Sequence, residues 1–510
     1  MMKIKLSLLL VFVLILSVFF VVSADGQIAK QIKIGRIQDS YDLDPSTTTN
    51  NANLWMFSLI VEGLVKGSND GTSIEPALAE SWDISEDGLV YTFHLKPGVK
   101  FSDGTPVTGE DWVWSIIRAR DTEGEFTFTA EVIEDVTSPD DNTLVIKLKE
   151  PWALFMADLA MFNLTVQKKS YYEEIGQEAY IRRPIGTGPY MIKEWELGEY
   201  ILFAKNPYYH IEGLPKTEEI KFIAVPDDNT RLLQLEAGQL DIATDVPFNK
   251  LQEIDSNPKL TAMGMPSTYT YYLFFNHTRK PYDSQKVREA LDYGTDKQAL
   301  VNFILFGKGQ VATSFRPPSS LFYNSSLKDR GYDVEKAKAL LAEAGYPNGF
   351  ELEFIVRSGN SVYQQVAVLL KEQWRQLGIK LNILAMESGV GFQKYRALDY
   401  DVLVSPFSDD MPDPSQQCEY YFIPENAKCA STAWAVPERG IELTQQGKRE
   451  IDMAKREQIY LELQQIYYDD VPMMPLFHVP YAVAMSNDIE GFAQNPLGSY
   501  RFEELVKNVK

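Results

Sequence analysis

The chain has 510 residues, 45% of them hydrophobic and 12% aromatic, enough for sizeable cores and too many for a disordered protein. At roughly 150 residues per domain it divides into about three domains or two large ones. A formal net charge of −22 argues against nucleic-acid and anionic-membrane partners, which would repel it.

The N-terminus reads as an export signal. MMKIK is a short positive region, LSLLLVFVLILSVFFVV is apolar, and Val22 and Ala24 suit the −3 and −1 positions of a signal-peptidase site. Residues 1–24 are therefore expected to be a signal peptide. The apolar run is close to the ~20 residues that span a bilayer, so an uncleaved anchor is the alternative. No cysteine lies near the cleavage point, which argues against a lipoprotein. The mature chain is placed in the periplasm or another extracytoplasmic space.

IKIGRI reads as a strand, DLDPSTTTNNAN as a polar loop and LWMFSLIVEGLV as an amphipathic helix. LVYTFHL alternates as a strand, and VTGEDWVWSIIRAR is a helix capped by Thr108 with acidic residues in its first turn. NTLVIKLKE is a strand, RPIGTGPYMIKEW a glycine-rich loop running into a strand, and NTRLLQLEAGQLDI a helix ending at Gly238. From about residue 271 a new unit begins. YYLFFN (strand), SQKVREALDYGTDKQALVNFIL and DVEKAKALLAEAGYP (helices), FELEFIV (strand), VYQQVAVLLKEQWRQLGI (helix), KLNILAM and YDVLV (strands) alternate as in an α/β unit with a largely parallel sheet. Ligands of such sheets sit beyond the carboxyl ends of strands, here the loops after FELEFIV and YDVLV.

The loop after YDVLV, SPFSDDMPDPSQQC, holds three aspartates and two prolines. It lacks the spacing and central glycine of a calcium loop. Four histidines lie far apart, and no HExxH, GxSxG, CxxC or Walker-type loop is present. GTG lacks the third glycine of a dinucleotide fingerprint and reads as a tight loop. A paired-carboxylate glycosidase is the serious enzyme alternative, though most acids in so acidic a chain are solvated surface groups. No enzyme activity, cofactor or metal is expected. Cys418 and Cys429, on a short loop in an oxidising compartment, suggest a disulfide worth about 2–3 kcal/mol at most.

The run EPALAESWDISEDGLVYTFHLKPGVKFSDGTPVTGEDWVWS resembles the signature segment of the extracytoplasmic solute-binding proteins of peptide ABC transporters, the oligopeptide- and dipeptide-binding family. IVEGLV, RPIGTGPY, LEAGQLDI, VREALDYGTDKQALV, AKALLAEAGYPNGF, LLKEQWRQLGIKLNI and VPMMPLFH extend the resemblance along the mature chain. It implies an α/β, two-lobed Venus-flytrap fold closing about a hinge, with an additional domain inserted in the first lobe. Residues 25–61, 185–274 and 481–510 would form lobe one, 62–184 the inserted domain and 275–480 lobe two. It implies a carrier of short peptides, a monomer, that delivers its ligand to a membrane permease. The alternative is the same fold binding an oligosaccharide or another small solute such as an opine or metal chelate.

The resemblance also proposes site residues. Asp410 would pair with a ligand ammonium, whose three donors need carboxylate or carbonyl oxygens once desolvated, and Phe407 would wall the site. Arg357, after FELEFIV, would grip the ligand carboxylate with its planar fork. Thr48, Thr49 and Asn50 are the first-lobe candidates. Against these stand ordinary turn, cap and solvated-charge roles, with Asp413, before a proline, ordering the loop.

Overall fold

A computed structural model describes residues 27–509 apart from 49, 125, 359 and 360. The expected leader, residues 1–24, and the candidate Thr49 lie outside the described residues. No helix among the described residues is long and apolar enough to cross a membrane.

The first lobe is a mixed sheet in the order Leu260–Met265, Tyr481–Ser486, Ile242–Ala243, Gln31–Arg36, Glu219–Ala224, Tyr200–Lys205, Tyr190–Glu196. Gln31–Arg36 runs parallel to both neighbours, and Ile32 and Ile34 are fully buried on one face of it. Each face of the sheet carries its own apolar cluster. A separate antiparallel sheet, Ala79–Ile84, Val90–Leu95, Thr143–Leu148 and Ile133–Asp140, has its own core and lies within residues 62–184.

The second lobe orders its strands Gln310–Val311, Met473–His478, Thr270–Phe275, Val402–Phe407, Glu351–Arg357, Lys380–Met386. Only Glu351–Arg357 pairs in parallel, with Lys380–Met386 and Val402–Phe407. The sheet is therefore mixed and not largely parallel as expected. The cause is the chain path: Thr270–Phe275 enters from the first lobe and Met473–His478 leaves toward it, and these two strands pair antiparallel at the sheet centre. Both are buried throughout. The two crossings between lobes fall at residues 266–269 and 479–480. All of Thr270–Phe275 thus belongs to the second sheet, a few residues earlier than the expected boundary at 274.

Local signals explain most elements. Thr108 and Asp111 form a capping box on helix Gly109–Asp121: the Asp111 amide donates to Thr108 Oγ1 (3.2 Å) and the Thr108 amide to Asp111 Oδ2 (3.1 Å). LWMFSLIVEGLV does not form one helix. Its residues belong to two short helices, Asn51–Leu54 and Phe57–Ile60, followed by extended chain. Met56, Phe57, Leu59, Ile60, Val61 and Leu64 are all buried, so no polar face remains to place a helix at a surface. The GTG glycines serve close approach: a Cβ on Gly186 would stand 2.0 Å from the Ile60 carbonyl oxygen.

Candidate functional site

The three aspartates of the acidic loop do three different things. Asp409 is fully buried, and its Oδ2 accepts from Arg316 Nη1 at 2.6 Å. Burial lifts its carboxyl to about 7, against the pull of Arg316. Its amide donates to Thr268 Oγ1 (2.9 Å), tying the loop to the interlobe crossing. Asp413 accepts from both terminal nitrogens of Arg456, at 2.9 and 3.1 Å, and from the Ser415 amide at 3.0 Å. That fork is buried and orders the loop at the start of helix Ser415–Phe422. Asp410, half-buried, is held by Gln416: its amide donates to Gln416 Oε1 (3.0 Å), and Gln416 Nε2 donates to Asp410 Oδ2 (2.9 Å). Next to it, Met411 is 1% exposed and belongs to the apolar cluster of the first lobe, with Leu54, Phe57 and Met161. A second-lobe loop is thus seated in the first lobe.

Arg357 ends its strand in the wall of a cavity of about 860 Å3 between the inserted domain and the second lobe. That volume suits a small ligand. Its Nη2 donates to Ser405 Oγ (3.0 Å) and its guanidinium stands 5.4 Å from the Tyr363 ring centroid. Among the described residues no carboxylate pairs with Arg357. Two other charged groups of this wall are engaged. Lys448 pairs with Glu419, and burial pushes its ammonium down to about 8. Asp158 is buried, accepts from Trp152 Nε1 (2.9 Å), and is held well above the usual carboxylate range by desolvation. Gln416 lines this cavity while Asp410 lines a neighbouring one of about 140 Å3, so the Asp410–Gln416 pair stands between the two. No group of three or more histidine, cysteine or acidic side chains among the described residues is arranged to hold a metal.

Known proteins share this architecture. The family described as bacterial extracellular solute-binding proteins, family 5 middle, matches residues 73–429. Heme-binding protein A of Haemophilus influenzae is 30% identical over 479 residues, 89% of this chain and 87% of that one. This chain belongs to the family 5 bacterial extracellular solute-binding proteins. The glutathione-binding protein GsiB of Escherichia coli K12 is 29% identical over 93% of this chain and 94% of its own. Among solved structures, the ABC transporter-associated periplasmic binding protein DppA from Helicobacter pylori in complex with the peptide STSA matches with a TM-score of 0.82 at 25% identity. It covers 95% of this chain and 99% of that one. The two-lobed fold is that of the family.

The remaining candidates sit differently in this family 5 protein. Phe407 is 7% exposed and packs edge-on to Tyr420 (5.3 Å between centroids) and Tyr421 (6.0 Å) in the second-lobe core. It is Tyr420, outside the ring positions proposed from the sequence, that lines the larger cavity. The Thr48 hydroxyl is buried and accepts from Asn53 Nδ2 (2.7 Å), and Asn50 Oδ1 caps helix Asn51–Leu54 through the Ala52 amide (2.8 Å). Neither lines the cavities that hold Arg357 and Asp410.

The expected Cys418–Cys429 disulfide is not formed; both thiols are free and buried. Cys418 is fully buried on helix Ser415–Phe422, within the aromatic cluster of Tyr272, Phe407 and Tyr421. Cys429 lies on a second helix, Ala427–Thr432. Each acts as a small apolar residue, and burial pushes the Cys429 thiol up to about 12. Sequence spacing gave no signal for Gln416, Tyr420, Trp152 or Lys448, because each reaches the cavity only through the lobe arrangement.

Proposed function

We propose that this family 5 protein is the exported, non-enzymatic carrier of a short peptide, which it encloses between its lobes and hands to a membrane permease. The observation that carries the reading is Arg357: a guanidinium in the wall of an 860 Å3 cavity with no carboxylate partner among the described residues. A ligand carboxylate is the group that matches its fork. Asp410, which lines the neighbouring cavity of about 140 Å3 and is bonded to Gln416 in the wall of the larger one, would take the ammonium. A peptide with both termini addressed is therefore short. The relatives are named for binding heme and glutathione, and one is in complex with the peptide STSA, so the family by itself leaves the solute open.

The test is calorimetric titration with trialanine, its N-acetyl form and its C-amide. Charge-assisted hydrogen bonds are worth about 1.5–3 kcal/mol, so blocking either end should weaken binding roughly tenfold or more. Arg357→Ala should abolish the discrimination against the C-amide alone. Equal affinity for the free acid and the amide would end the carboxylate assignment. A second reading has one observation in its favour: Trp152, Phe392 and Tyr420 line the cavity and offer faces on which sugar rings stack. Mass spectrometry of the solute released by denaturing purified protein separates the two.

A further inference from the structure

The inserted domain touches the second lobe at the rim of the larger cavity. Helix Glu438–Arg449 ends there, and the last carbonyls of a helix have no partner within it. One of them, Lys448 O, accepts from the Ala153 amide of the inserted domain at 2.9 Å. The next residue, Arg449, donates through Nη2 to both oxygens of Glu150, at 3.1 and 3.3 Å. The Lys448 ammonium pairs with Glu419 and lies 5.5 Å from the ring centroid of Trp152. Glu150, Trp152, Glu419 and Lys448 all line the cavity. Residues about 300 apart in sequence thus complete one helix end from two different bodies.

We propose that this junction is a clasp: the inserted domain caps a second-lobe helix only when the lobes are closed, and so sets how long the chamber stays shut. The two crossings at 266–269 and 479–480 are covalent and persist through any hinge motion. The Ala153–Lys448 and Glu150–Arg449 bonds join the lobes only by contact, and separating the inserted domain from the second lobe breaks them. Glu150 and Lys448 are then both clasp residues and walls of the chamber, so a solute that displaces Trp152 or Lys448 would loosen the grip while one that leaves them in place would keep it. The inference rests on the cavity being the ligand chamber, but its test needs no ligand.

Hydrogen exchange of the ligand-stripped protein reads the clasp through residues 150–158, because the Ala153 amide is protected only while it is bonded to Lys448. Glu150→Arg and Arg449→Glu each replace attraction by repulsion at a half-exposed pair. Each should speed exchange of that segment by about two- to fivefold. The double variant, with the charges swapped, should return to the original rate. Exchange in strand Glu351–Arg357, inside the second lobe, should stay unchanged in all three. Lys448→Met, which removes the ammonium and leaves the carbonyl, should speed the same segment further. Single variants that exchange like the parent, a swap that fails to restore the rate, or an equal acceleration in Glu351–Arg357 would each overturn the clasp. A failure of the peptide titrations with these exchange results intact would overturn only the ligand assignment.

Discussion

Met411 offers the most direct test of how closure is stabilised. It sits on a second-lobe loop yet is 1% exposed within the cluster formed by first-lobe and inserted-domain residues such as Phe57, Phe126 and Met161. When the lobes part, that side chain leaves its apolar surroundings for water. Full burial of a methionine side chain is worth about 1.5–3 kcal/mol, and Met411→Ala removes most of it from the closed state alone. A ligand that binds only the closed state should then bind about ten- to a hundredfold more weakly, at roughly 1.4 kcal/mol per tenfold. The ligand-free protein opens and recloses, and because its open form, with Met411 already exposed, is still folded, it should keep most of its unfolding stability. Calorimetric titration with the best-binding peptide, paired with denaturant unfolding of ligand-free protein, checks both halves. Unchanged affinity together with a loss of about 2–5 kcal/mol in the ligand-free protein would refute the reasoning. It would mean that Met411 belongs to a core that never opens.

Three further outcomes follow from buried groups. Asp413→Asn should lower the stability of the ligand-free protein by about 3–5 kcal/mol in denaturant unfolding, because Arg456 is left buried without its carboxylate. His478 is buried, shares a 2.7 Å hydrogen bond with Thr270 Oγ1, and is pushed by desolvation down to about 3. Its folded pKa lies below the unfolded 6.5, so the stability it contributes is present above pH 6.5 and is lost as pH falls, at up to about 1.4 kcal/mol per pH unit. Asp409, lifted to about 7, works in the opposite direction over part of this range. The difference between the parent and His478→Gln isolates the histidine and should shift in the variant's favour between pH 6.5 and 4.5. Cys418 and Cys429 should resist a thiol reagent in the folded protein and both react after denaturation without reductant.

By itself the sequence determined the elements with strong local chemistry. Thr108 with Asp111 makes a capping box wherever the helix lies, and the apolar period of VYQQVAVLLKEQWRQLGI yields helix Ser361–Arg375. Family resemblance carried the two-lobed fold. Tertiary structure decided the rest, because those outcomes depend on partners distant in sequence. Which aspartate of SDDMPD stays at the cleft is set by Arg316 and Arg456, which engage Asp409 and Asp413 from elsewhere in the second lobe. Phe407 turned into the core because neighbouring rings on helix Ser415–Phe422 pack against it, and the two cysteines lie buried on separate helices, Ser415–Phe422 and Ala427–Thr432. Spacing along the chain reports local periodicity and caps. A cavity wall assembled from Trp152, Arg357, Gln416 and Lys448 exists only after two lobes and an inserted domain have packed together.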